Sequence, residues 1–269
     1  MVKEPRSFNC RLLPIEATAQ ACEASSVNPQ SQPILEVCVQ SPTDCSLAAE
    51  GGADRVELCQ AIELGGLTPS VGTIAATCRV SPLPVIVLTR PRPGNFIYSP
   101  AEIDCVTKDL EQLKALGARG AAFGALTSRG DIDRNALEAW LAVSQGLELV
   151  FHRAFDSCRA PLESLELLAE LGVHRVLSSG GAATALEGAE QLATWIEATR
   201  GRLELLPGGS IRASNAAELL AKTGAEGVHF RAPSTQGGES KAHPLGTSDT
   251  GLYEVTDRAI VRAIRDALS

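Results

Sequence analysis

Aromatic side chains make up only 4% of this 269-residue chain, so aliphatic residues and alanine must fill its core. No stretch approaches the roughly 20 apolar residues needed to cross a bilayer. The first residues carry Lys3, Glu4, Arg6, Arg11, Glu16 and Glu23 and lack the apolar run of a secretory signal. No Cys-x-x-Cys pair occurs among the eight cysteines, Cys10, Cys22, Cys38, Cys45, Cys59, Cys78, Cys105 and Cys158. A disulfide framework belongs to short secreted chains, so these thiols read as reduced and the protein as cytoplasmic. Basic residues are not in excess: the net charge is -8 and the pI about 5.1. That excludes a general nucleic-acid or anionic-membrane binder, which needs a basic face, but it allows a local cationic pocket.

What is present divides at residue 33. Residues 1–33 show no sustained periodicity and end in a Ser/Asn/Pro/Gln-rich run, so they read as a flexible N-terminal extension with at most a short helix near Pro14 to Ala24. From Ile34, short apolar runs alternate with helical ones. Strands are expected over Ile34 to Val39, Arg55 to Leu58, Val85 to Leu88, Gly120 to Phe123, Leu147 to Phe151, Arg175 to Leu177, Leu203 to Leu206 and Gly227 to Phe230. Ile103, Val106, Leu110 and Leu113 recur at helical spacing, as do Ile260, Ala263, Ile264 and Ala267 in a last helix over Val255 to Leu268. Pro100 and Pro161 suit helix starts. A weak repeat places Gly52, Gly117, Gly172 and Gly224 between helix and next strand, where a left-handed residue caps the helix. Eight strand–helix units predict residues 34–269 to be one α/β domain, a TIM-type (β/α)8 barrel. The Gly/Ser/Thr-rich segment from Arg231 to Gly251 reads as a flap or disordered loop.

In such a barrel, polar residues at strand C-terminal ends face the functional mouth. Four constellations stand there. Glu36-Val37-Cys38 and Glu57-Leu58-Cys59 put a carboxylate and a thiol on one face of each of two neighbouring strands, and all four groups are expected near one rim. Two thiolates suit Cu(I) or Zn(II); the alternative is that Cys38 and Cys59 are small buried hydrophobes. Arg90-Pro91-Arg92 follows strand 3, with Arg90 gripping an anion, neutralising Glu36 or Glu57, or both. His152-Arg153-Ala154-Phe155-Asp156 ends strand 5, where His152 is either a proton-transfer group or structural. Ser178-Ser179-Gly180-Gly181 and Pro207-Gly208-Gly209-Ser210 follow strands 6 and 7; their amides suit an anion, although glycines also simply make tight turns. His229 ends strand 8 at the same rim.

These segments, together with Gly52-Ala53-Asp54-Arg55-Val56, Gly65-Gly66-Leu67-Thr68-Pro69-Ser70 and Arg175-Val176-Leu177, resemble the CutC copper homeostasis family from about Ile34 to Phe230. The resemblance implies a barrel, a cytoplasmic and sometimes nuclear location, self-association into homo-oligomers, and a role in copper tolerance or trafficking. It implies Cu(I) at Cys38 and Cys59. The family commonly has Gly-Gly-Asp-Phe where this chain has Pro93-Gly94-Asn95-Phe96, and a third glycine where Ser210 stands. Two functions follow as expectations. One is a copper-binding protein using Cys38 and Cys59. The other is a barrel enzyme on a small phosphate- or carboxylate-bearing substrate, with Glu36, Glu57, Arg90, His152, Arg153 and Asp156 as catalytic groups and Ser179, Gly180, Gly208, Gly209 and Ser210 holding the anion.

Overall fold

The computed structural model describes residues 32–237 and 251–269. The expected helix near Pro14 to Ala24, Cys10, Cys22 and residues 238–250 of the Gly/Ser/Thr-rich segment lie outside the described residues. Eight parallel strands form one sheet: β1 Ile34–Val39, β2 Arg55–Leu58, β3 Val85–Leu88, β4 Gly120–Phe123, β5 Glu148–Phe151, β6 Arg175–Ser178, β7 Glu204–Pro207 and β8 Gly227–Phe230. Their order is β7-β6-β5-β4-β3-β2-β1-β8, and the Gly208–His229 parallel bridge joins the two ends into a ring. Helices α1 Pro42–Gly51, α2 Val71–Val80, α3 Pro100–Leu113, α4 Arg134–Val143, α5 Pro161–Glu170, α6 Ala189–Thr199, α7 Ala216–Thr223 and α8 Arg258–Ala267 surround it. This is the TIM-type (β/α)8 barrel that the alternation predicts.

Local chemistry explains the elements. Strands such as Val85–Leu88 are buried on both faces and therefore read as unbroken apolar runs. Ser99 and Glu102 form a reciprocal capping box at the start of α3, with Pro100 in the first turn. Gly52, Gly117, Gly172 and Gly224 all have positive φ, the left-handed geometry their place after each helix demands.

Alternation along the strands sorts residues into two cores. Leu35, Val37, Val39, Val56 and Leu58 face outward into the main core with the helices, whereas Cys38, Cys59, Ile86, Leu88, Ala122 and Val150 form a small cluster inside the ring. Beneath it lies a charged floor of residues near the strands' N-terminal ends. Arg55 pairs with Glu36 and Glu204, and Arg175 pairs with Glu204 at 2.9 Å and approaches Glu148 and Glu36 at 3.5 and 3.8 Å.

The C-terminal region differs from expectation. Part of the segment read as a flap is ordered as β9 Pro233–Gly237, which pairs antiparallel with β10 Leu252–Thr256. Val255 therefore belongs to a strand, and the last helix starts at Arg258 after Asp257 caps it by accepting from the Ala259 amide. Its buried stripe is Val261, Ile264 and Arg265. Arg265 is tolerated there because its guanidinium donates to the Pro33 and Gly52 carbonyls and pairs with Asp54.

Candidate functional site

A cavity of about 400 Å³ opens at the C-terminal ends of the strands, lined by Cys38, Glu57, Cys59, Arg90, His152, Arg153, Gly209, Ser210 and His229 among others. The two thiols meet: Cys38 Sγ and Cys59 Sγ are 3.4 Å apart. The register explains this, because Cys38 is level with Glu57 on the neighbouring strand and Cys59 follows two residues later on the same face. The mutual hydrogen bond, burial and the Glu57 charge push the Cys38 thiol well above its ordinary range.

Glu36 does not share the rim with these groups. It is 1% exposed, one step below the mouth, where it takes the Arg55 guanidinium and accepts from His229 Nδ1 at 2.8 Å. The period of two puts Glu36 on the correct face, but its level in the barrel follows from the stagger of β1 against β8, which pairs Glu36 with His229. Burial would raise its pKa; the His229 hydrogen bond and the Arg55, His229 and Arg175 charges outweigh that and lower it to about 2. Burial would lower the pKa of His229, but the Glu57 charge, 3.7 Å away, and the Glu36 hydrogen bond raise it. Glu57 itself is raised, first by burial.

Arg90, 7% exposed, pairs with neither Glu36 nor Glu57 among the described residues. Its guanidinium instead donates to the carbonyls of Leu64, Gly65, Gly66 and Gly94 and stacks 5.0 Å from the Phe96 ring centroid. A carboxylate at Asn95, as in the commoner family motif, is thus not what holds this arginine. His152 also packs against Phe96, 4.9 Å between ring centroids. Its Nδ1 accepts from the Ala154 amide at 3.2 Å, which places the ring hydrogen on Nε2. Burial and the Arg90 charge lower its pKa to about 3. The imidazole is therefore neutral at physiological pH, and its Nε2 hydrogen has no partner among the described residues.

The loop after β6 already holds an anion of the chain's own. Asp156 accepts from the Ser178 hydroxyl at 2.5 Å, the Ser179 amide at 3.1 Å and the Gly181 amide at 3.3 Å. Arg153 braces this arrangement through Asp156 and the Ser179 hydroxyl. Ser179 is therefore engaged by a carboxylate from the 3-10 turn after β5, and the Gly180 amide donates to the Ser178 hydroxyl at 2.9 Å, so neither is open to the anion the sequence suggested. Gly208 closes the ring against His229, while Gly209 and Ser210, both with positive φ, border the cavity.

Sequence reasoning passed over the Arg55–Glu36–Arg175–Glu204 floor. A usable signal existed: Arg55 stands two residues before Glu57 and so shares its inward face.

Comparisons with known proteins agree on one family. The CutC family model matches residues 33–234. A CutC family protein from Glaesserella parasuis is 35% identical, covering 87% of this chain and 98% of the relative. The human copper homeostasis protein cutC homolog is 41% identical, covering 76% of this chain and 74% of the relative. The crystal structure of CutC from Streptococcus agalactiae superposes with a TM-score of 0.71 at 32% identity, covering 74% of this chain and 98% of that one. A thiamine phosphate pyrophosphorylase from Pyrococcus furiosus, at 16% identity and a TM-score of 0.53, shares the fold alone. A family match over most of the barrel, with relatives at these identities, means that this chain belongs to the CutC family.

Proposed function

We propose that this CutC protein binds Cu(I) through Cys38 and Cys59 and acts in copper tolerance or trafficking, from the cytoplasm and as a homo-oligomer. The observation that carries the reading is the 3.4 Å approach of the two sulfurs at the cavity wall. A metal–thiolate bond is roughly 2.3 Å, so both sulfurs reach one ion without moving their strands. Soft thiolates favour Cu(I) over hard cations, and the surrounding Ile86, Leu88 and Val150 keep the pair out of bulk water. Anaerobic competition against a coloured Cu(I) chelator tests it. About one Cu(I) per chain is expected for the wild type and none for the Cys38→Ser/Cys59→Ser double variant, with Cys105→Ser unchanged. Unaltered stoichiometry in the double variant removes the reading.

A second reading, a barrel enzyme acting on a small anionic substrate, is favoured by the cavity itself. Arg90 carries a buried charge there with no carboxylate partner among the described residues, and His152 offers a neutral N–H with no partner among them. In this reading Arg90 and His152 hold substrate oxygens, and proton transfer falls to Glu57 and His229 across the cavity. A metabolite screen by thermal shift should find anions whose effect weakens in His152→Ala. A screen in which no anion shifts the wild type contradicts this reading.

A further inference from the structure

We infer that Cys38, Glu57 and His229 form a second, three-ligand site for a divalent ion of the zinc class, separate in its donor set from the two-thiol copper pair. One sulfur, one oxygen and one nitrogen from these residues all lie within 4.8 Å of one another, and all three side chains are largely buried. That grouping leaves Cys59 out. Three protein ligands of Cys, His and carboxylate type suit a tetrahedral ion with its fourth position free for water or a bound molecule. All three residues line the 400 Å³ cavity, so the fourth position faces space that a small ligand can enter.

An independent feature points the same way. His229 Nδ1 donates to Glu36 at 2.8 Å, leaving Nε2 as the atom that approaches Glu57 at 3.7 Å. A carboxylate behind a histidine, holding its tautomer and ring direction, is the arrangement that supports metal-bound imidazoles. Glu36 is in turn fixed by Arg55 and Arg175. Glu36 is thus a positioning residue, one layer beneath the ligands it orients. This also accounts for the buried carboxylate that lies off the rim.

Cys38 is common to both donor sets, so copper and the divalent ion compete for the chain. The inference shares Cys38 with the copper reading but requires neither copper nor Cys59.

The test uses the full-length, reduced, chelator-stripped protein with Zn(II), and with Co(II) as a spectroscopic probe. Wild type should take up about one ion per chain, with the visible bands of tetrahedral Co(II) and a sulfur charge-transfer band. Cys59→Ser should keep both bands and the Zn(II) affinity within about threefold. His229→Ala and Glu57→Gln should each weaken Zn(II) binding at least tenfold, and Glu36→Gln, which preserves volume and a hydrogen-bond acceptor, by roughly 10- to 100-fold. Cu(I) should show the opposite dependence, losing affinity in Cys59→Ser and little in His229→Ala. Loss of Zn(II) in Cys59→Ser equal to that in Cys38→Ser, or indifference to His229→Ala, overturns the inference and leaves the copper reading standing. Absence of Zn(II) from a wild type that binds Cu(I) overturns the inference alone, and absence of both metals overturns both readings.

Discussion

At the scale of single residues, His152 makes a pH-dependent contribution to stability that can be worked out with its sign. Its pKa in the folded protein is about 3, against an ordinary 6.5, because burial and Arg90 disfavour the cation. Between those values the unfolded chain binds the proton and the folded one does not, so stability falls as pH falls. The contribution is complete above about pH 6.5 and declines by roughly 1.4 kcal/mol per unit below it. Glu36 acts in a lower window, from its ordinary 4.5 down to about 2, whereas Glu57, raised above 4.5 by burial, opposes the histidine between pH 6.5 and 4.5, so the comparison with a variant isolates His152. Denaturant unfolding across that range should show stability falling more steeply with falling pH in the wild type than in His152→Gln. Parallel slopes would show that His152 is not held neutral. Residue roles of this kind were only half legible in the sequence. The shared faces of Glu36 with Cys38 and Glu57 with Cys59 follow from a period of two. The partner that decides each charge, such as Gly65 and Gly66 carbonyls for Arg90 or Ser179 for Asp156, comes from another segment and leaves no local trace.

Between elements, the contact of α1 with α8 depends on one small residue. A side chain at Gly51 would meet Val261 Cβ at 2.5 Å and Cγ1 at 2.7 Å, as well as the Arg258 carbonyl at 3.0 Å. Gly51→Ala is therefore expected to cost about 1–3 kcal/mol by overpacking, despite alanine's better helix propensity. Combining it with Val261→Ala should recover part of that loss, a coupling of about 0.5–3 kcal/mol in a double-mutant cycle. Strict additivity would mean that the helices do not touch as described. The elements themselves were readable wherever pattern and chemistry agreed: eight apolar runs, prolines at helix starts, and glycines after helix ends. They were misread at the C-terminus, where Leu252–Thr256 carries too little apolar alternation to stand out and forms a strand by pairing with Pro233–Gly237. The Thr256 amide donating to Asp44, at 2.7 Å, ties that hairpin to α1 and gives a tertiary reason for a locally weak strand.

For the whole molecule, closure of the ring does the decisive work. It brings Cys38, Glu57, Arg90, His152 and His229, drawn from three strands and from the turns just after two others, around one opening. The eight-unit alternation made that opening predictable. The depth of each group within it was not predictable, because depth depends on stagger between strands and on the Gly208–His229 closure. A chain of net charge -8 thus carries a mouth containing Arg90, Arg153 and His229. On the copper reading, this mouth presents two sulfurs to one ion. Anomalous diffraction at the copper edge, from crystals soaked anaerobically with Cu(I), tests it most directly. A single strong peak is expected between the Cys38 and Cys59 sulfurs, whereas a peak confined to the exposed Cys105, with the barrel mouth empty, rules copper ligation by this pair out.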